Sequence, residues 1–375
     1  MCPAPWALYN LRLRFHLRFL LVAGVFVVTL AAPVAQQVRL PSARLVEAPP
    51  LVMPGAIDSN VPMTWDLVDG SWRLFALTSW GGIPALLSGP ALTQMREAGP
   101  VTIARHPGHG IWIESIVPDE AGAWYGYYHH ETPAYACGRS DRFIPRIGAL
   151  RSTDRGYTWE DLGVIVEAAQ GSDACTSTNG FVLGGVGDVS AMLSPDRRDL
   201  FLFISQYSKV PSDQGVALGR LAWADRDTPR GRVMIWRDGV WVPPRHEVDG
   251  EGTETWLHPS GTPLSPPAKP WHDGHVTADV FWGPSVHWNR YLERYVMLLN
   301  RARDEYFNNE GIYVSYARTL SDPRAWSAPQ KIMHGGGWYP QVAGLEPATG
   351  SDKDAGQRAR FFLTGRSTRY IEFHR

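Results

Sequence analysis

An all-β fold, a five-bladed β-propeller of four-stranded antiparallel blades, is predicted by three features of the 375-residue sequence. Five segments share one plan, in which a polar or acidic residue precedes an apolar strand, a turn and a second, aromatic-rich strand. Glycine and proline number 37 and 30, more than the usual combined share of about 12% and less than the roughly 25–30% of disordered chains. The 16 Trp, 14 Tyr and 13 Phe can fill a large core and offer flat surfaces to a ligand, while no long amphipathic helix pattern is present.

Taken in chain order, residues 1–35 read as a signal peptide. Arg12, Arg14 and Arg18 come first, and an apolar run from Phe19 to Ala35 follows without an acidic residue. Cleavage near Ala35 is expected, with a secreted or periplasmic product. An uncleaved membrane anchor is the alternative, because the run lies at the short end of the roughly 17–25 residues that span a bilayer. Residues 36–375 are expected to form one propeller domain.

The five hairpins begin at Ile57, Gly110, Gly187, Phe281 and Gly337. Val68-Asp69-Gly70, Pro118-Asp119-Glu120 and Ser194-Pro195-Asp196 are turn signals between their paired runs. Third and fourth strands are expected at IGALRSTD and TWEDLGVIVE, GRLAWADR and GRVMIWRDGVWVPP, and GIYVSYAR and AWSAPQKIM. Four strands in each of five units make the propeller. TRYIEFHR, at the C-terminus, is expected to complete the last blade and to pair with the chain after the signal. The stretch 243–278 is rich in Pro, Gly, His and charge, and is expected to be a long loop across one face, either a functional wall or a plain insertion.

Thirty-six basic residues nearly balance 37 acidic ones. Loss of the three N-terminal arginines leaves a net charge of −4 with no polybasic stretch, which argues against nucleic acid or anionic lipid as partner. Cys2 falls in the signal. Cys137 and Cys175 remain, and an oxidising compartment favours a disulfide between them over two buried thiols.

Ser152–Trp159, STDRGYTW, resembles the Asp-box of sialidase-like propellers through Ser152, Asp154, Gly156 and Trp159. It is expected to be a structural turn, its polar side chains bonding turn amides and Trp packing beneath. The mature chain as a whole resembles the five-bladed clan of glycoside hydrolase family 43, the arabinanases and β-xylosidases, and more distantly invertases and levansucrases. The matching elements are Asp58-Ser59-Asn60, GDVS around Asp188, Gly283-Pro284-Ser285 and GIYVSYARTLSDPRAWSAPQKI. The resemblance implies an Asp of the first inner strand as base or nucleophile, a second Asp that tunes pKa or stabilises the transition state, and a Glu as acid. Where the family has Glu-Gly-Pro this chain has Trp282-Gly283-Pro284, and the Glu falls at Glu114.

Independently, inner strands of a propeller converge on its axis, so Asp58, Glu114, Asp188 and Asp279 are expected to crowd one funnel. Crowded carboxyls acquire different pKa values, as glycoside hydrolysis requires. The alternative for each is a turn cap. The expected roles are Asp58 as base or nucleophile, Glu114 as general acid and Asp188 as the charge that stabilises the transition state. Asn60, Asp279, His287 and Gln341 are candidates for sugar hydroxyls, and Trp112, Trp282 and Trp338 for stacking, with burial in the core as the alternative for each Trp.

His129 and Glu131 share a strand face and are further candidates for substrate binding, and His130 points away. Two ligands on one face, and His272, Asp273 and His275 without helical spacing, make a weak metal set. No metal or organic cofactor is expected, although structural calcium is compatible. The expected function is an exported glycosidase acting on an oligosaccharide or polysaccharide. A non-catalytic glycan-binding propeller and a polysaccharide lyase are the alternatives, and oligomeric state is left open.

Overall fold

The computed structural model describes residues 40–104, 110–168, 171–269, 271, 277–304 and 306–375. The signal segment and the group His272, Asp273 and His275 lie outside the described residues. Among those described, no helix is long and apolar enough to cross a membrane.

The chain is all-β, in a propeller arrangement of antiparallel sheets interrupted by short 3-10 turns. The described strands form five sheets, and each contains a run of four antiparallel strands. The first run is Met63–Val68, Ser71–Trp80, Ile83–Gly89 and Arg96–Pro100. Its Asp69-Gly70 turn has φ of 49° and 76°, the two left-handed positions of a tight hairpin whose twist matches its strands. The second is Ile111–Pro118, Trp124–Ala134, Arg139–Ser152 and Thr158–Ala168. Val186–Leu193, Asp199–Gln206, Gly215–Ala222 and Met234–Arg237 form the third. Phe281–Asn289, Arg294–Ala302, Asn309–Ala317 and Gln330–His334 form the fourth. The last run takes Pro340–Gly344, Arg358–Leu363 and Arg366–His374 from the C-terminus and adds Ser42–Val52, which pairs from Ser42↔His374 to Val52↔Arg366.

Strands buried on both faces let each sheet pack on its neighbours. Phe75 and Leu86 of the first sheet meet Ile113 and Trp124 of the second, and Tyr127 and Ile147 meet Val189 and Leu202 of the third. Phe203 then packs with Met297 of the fourth, Leu298 with Phe361 of the last, and Phe362 with Met63 and Leu74 of the first. One segment reaches the inner strands of the first four sheets. Asp352 accepts from Met63 N (2.8 Å), Lys353 Nζ donates to Ser115 and Ser190 hydroxyls (3.2 and 3.1 Å), and Trp288 N donates to Lys353 O (2.9 Å).

The stretch 243–278 departs from the loop expected there. Arg245–Val248 and Glu254–His258 form a hairpin, and the second of these strands adds in parallel to the edge of Thr158–Ala168 through Glu167↔Leu257 and Ala168↔His258. An open sheet edge offers unpaired amides that a stray strand can satisfy. The turn at 152–159 behaves as a local staple. Ser152 Oγ donates to Asp154 Oδ1 (2.8 Å) and accepts from Gly156 N (2.9 Å), Asp154 Oδ1 accepts from Thr158 N (2.9 Å), and Trp159 Nε1 donates to Gly156 O (2.9 Å). Asp154→Ala removes the carboxylate acceptor and should cost about 1–2 kcal/mol, a Tm loss of roughly 1–3 °C per kcal/mol for a chain of this size in calorimetry. Ligand affinity of the folded protein should be unchanged, since this turn lies outside the site described next.

Candidate active site

A cavity of about 590 Å³ opens where all five sheets meet, within the usual size range of ligand pockets. Ile57 and Asp58 come from the first sheet's entry, His129 and Glu131 from the second sheet, Asp188 and Tyr207 from the third, Phe307 from a loop of the fourth, and Trp338, Tyr339 and Thr364 from the last. Trp80, Phe181, Val182, Tyr306 and Gly337 complete the wall.

Local backbone features aim the carboxyls. The register slips between Ile113 and Ser115 and between Gly187 and Val189, so Glu114 and Asp188 each sit at a bulge of an inner strand. Such bulges re-aim a side chain, and Asp188 adopts a left-handed φ of 37° to do so. Asp58 precedes the first inner strand. Its Oδ1 accepts from Trp112 Nε1 (2.7 Å) and its Oδ2 from Gly81 N (2.9 Å). Gly81 and Gly82, with φ of 55° and 72°, make the tight turn after Trp80. A Cβ on Gly82 would lie 2.2 Å from Gly110 Cα.

His129 is the centre of charge. Nδ1 lies 3.6 Å from Asp188 Oδ1 and Nε2 lies 3.7 Å from Glu131 Oε1. Burial works to lower the imidazole pKa, but Asp188, Glu131 and Glu114 outweigh it and raise it to about 9. Asp188 Oδ2 accepts from Tyr207 OH (2.8 Å). Burial pushes Glu131 above the usual carboxylate range, helped by the charges of Asp188 and Asp58 and opposed by His129. Glu114 is pushed well above that range by burial and then by Asp188. It is 2% exposed, accepts from Val189 N at 2.5 Å, and is not among the residues that line the cavity. One atom each of Glu114, His129 and Asp188 lies within 4.8 Å of the others.

Comparison with protein-family models and with curated proteins gives no match. Solved structures do resemble the chain. An endo-arabinase from Bacteroides thetaiotaomicron is 10% identical, with 86% of this chain and 96% of that chain covered and a TM-score of 0.47. A thermostable family-43 glycoside hydrolase is 10% identical over 86% of this chain and 91% of that chain, TM-score 0.46. An exo-1,5-α-L-arabinanase from a bovine ruminal metagenomic library is 14% identical over 84% and 94%, TM-score 0.43.

Of the residues singled out in the sequence, the structure brings Asp58, His129, Glu131, Asp188 and Trp338 to the cavity wall, with Glu114 buried behind Asp188. Others go elsewhere. Asp279 precedes its strand, accepts from Lys269 N (2.8 Å) and faces Arg301 at 3.6 Å; the bulge matching Glu114 and Asp188 falls instead at Gly283-Pro284. Gln341 exchanges both amide bonds with the backbone of Val61. Asn60 donates to Pro284 O (3.1 Å). His287 is fully buried beside Lys353, and burial with that charge lowers its pKa to about 3. Trp282 is core, its ring 5.2 Å from Tyr207 and 4.9 Å from Trp271. Trp112 donates to Asp58, and its ring lies tilted against His129 with centroids 5.2 Å apart. Cys137 and Cys175 are bonded.

Trp80, Phe181, Tyr207, Phe307 and Tyr339 also line the cavity, and none of them stands in a pattern that marks a site in the sequence. Tyr339 and Phe307 both have φ of 59°, a conformation no pattern in the sequence marks. The Gly81-Gly82 turn was the one signal available for Trp80.

Proposed function

We propose that this chain is an exported glycoside hydrolase that cleaves a glycosidic bond in the central cavity of a five-bladed propeller. One blade per sheet is supported by the ring of packed sheets, and export by the N-terminal apolar run. The observation that carries the reaction is that three carboxyls in different surroundings, Asp58, Glu131 and Asp188, face one aromatic cavity.

Each role follows from its surroundings. Asp58 accepts hydrogen bonds on both oxygens, the pattern of a carboxylate, and serves as base or nucleophile. Glu131 lies on the wall with its pKa raised above the usual carboxylate range by burial, the direction a proton donor needs, and so takes the acid role in place of Glu114. Asp188, fixed by Tyr207 and His129, faces the positive charge that develops on the sugar. Glu114 holds the Val189 amide and so the bulge that aims Asp188.

A lyase acting on a uronate needs cations for the substrate carboxylate, and the described wall holds neither Lys nor Arg. Hydrolysis is therefore favoured over elimination. His129 lowers the Glu131 pKa, so His129→Gln should move the alkaline limb of the pH profile of kcat/KM to higher pH. A limb that stays in place or moves down would contradict the assignment of Glu131. Release of reducing ends from arabino-, xylo- and galacto-oligosaccharides tests the reading as a whole. No release from any of them would leave a glycan-binding protein.

A further inference from the structure

We propose that the site holds an extended, uncharged glycan chain, with Trp80 and Phe181 as stacking platforms for sugar units outside the cavity; this rests on the glycan reading above. Both rings line the cavity yet keep much of their surface outside it. Trp80 is 60% exposed and Phe181 50% exposed, and Tyr306, on the same wall, is 55% exposed. A single exposed aromatic needs no explanation, but exposed rings gathered at one mouth mark a binding surface. A terminal sugar confined to the cavity would leave these outer faces uncovered. A chain running out of it would cover them.

The backbone beneath each platform is fixed before any ligand arrives, which reduces the ordering cost of binding. Trp80 stands on the Gly81-Gly82 turn, anchored by Gly81 N on Asp58 and by Ile111 N on Gly82 O (3.0 Å). Phe181 is held by Asn179, whose Oδ1 accepts from Phe181 N and Val182 N (2.9 and 3.0 Å), while Asn179 O accepts from Arg142 Nε (2.9 Å). Phe181 continues inward through Phe307 (5.4 Å) to Trp338 (5.5 Å), so an aromatic surface runs unbroken from the mouth to the wall. The sign of the charge selects the chain. Even with Glu131 as the proton donor, the carboxyls of Asp58 and Asp188 outnumber His129 on the described wall, and a polyuronate or sulfated chain would be repelled.

The test is calorimetric titration in the Glu131→Gln background, which leaves the anchors of both platforms intact, so that ligand is not consumed. The probes are arabino-, xylo- and galacto-oligosaccharides of two to six units, with oligogalacturonates as the anionic series. Affinity for one neutral series should rise with length. Trp80→Ala and Phe181→Ala should weaken the longest chains by about three- to tenfold each, the scale of one aromatic contact, and the disaccharide less. Trp80→Phe should keep most of the gain with length. Both rings are exposed, and an unchanged Tm shows that the variants fold. Length-independent affinity, no binding of any neutral series, or tighter binding of oligogalacturonates overturns the inference. Length-dependent binding by wild type that cleaves none of these chains overturns the hydrolase reading and leaves this inference standing.

Discussion

Glu131→Gln should fold normally and lose at least about 10²-fold in turnover of oligosaccharides, the scale of an acid–base group. Aryl glycosides with an activated leaving group should restore much of that loss, because they need little protonation. Asp58→Asn should lose as much and gain nothing from the better leaving group, since its role lies on the attacking side of the sugar. Glu114→Gln separates the two candidate acids. Glutamine keeps an oxygen to accept from Val189 N, so this variant should retain most of its activity. If Glu114→Gln is the one rescued by aryl glycosides, the proton comes from the buried carboxyl. If all three variants keep full activity, the cavity is not the site.

Replacing Cys137 and Cys175 together by Ser should lower stability by about 4 kcal/mol in the chain-entropy model for a 38-residue separation. In Tm this is on the order of 5–10 °C for a chain of this size. The bridge ties the turn after Trp124–Ala134 to the loop that carries Phe181 and Val182, so long-chain ligands should also bind more weakly. Reductant should reproduce the Tm loss in wild type and have no effect on the double variant. An unchanged Tm in both experiments would show that the bridge adds nothing to the fold.

Most of the strand pairing was legible because it depends on local chemistry. Asp69-Gly70 can form the tight turn the hairpin needs, and the apolar runs on either side have no other way to bury both faces. The parity of a strand likewise placed His129 and Glu131 on one face and His130 on the other. Bulges are not written in such patterns. Whether a carboxyl reaches the cavity or stays behind it depends on a one-residue slip, and that slip buried Glu114 and turned Asp188 to the wall. It also explains Asp279, which lies in a loop while Gly283-Pro284 takes the corresponding bulge. Tryptophans divide for a similar reason. Trp282 sits within an inner strand and is core, whereas Trp80 ends a hairpin strand beside two glycines and is left exposed. The hairpin within 243–278 was illegible because its strands are short and charged, and gain their place from an open edge elsewhere in the chain.

The most direct test is to treat a neutral oligosaccharide that the protein binds with wild-type enzyme in ¹⁸O-labelled water and weigh the products. Hydrolysis at the central carboxyls predicts cleavage with one labelled oxygen at each new anomeric carbon, and the loss of that product in Asp58→Asn and Glu131→Gln. Products that carry no added water, or a bound oligosaccharide that stays whole, would contradict it.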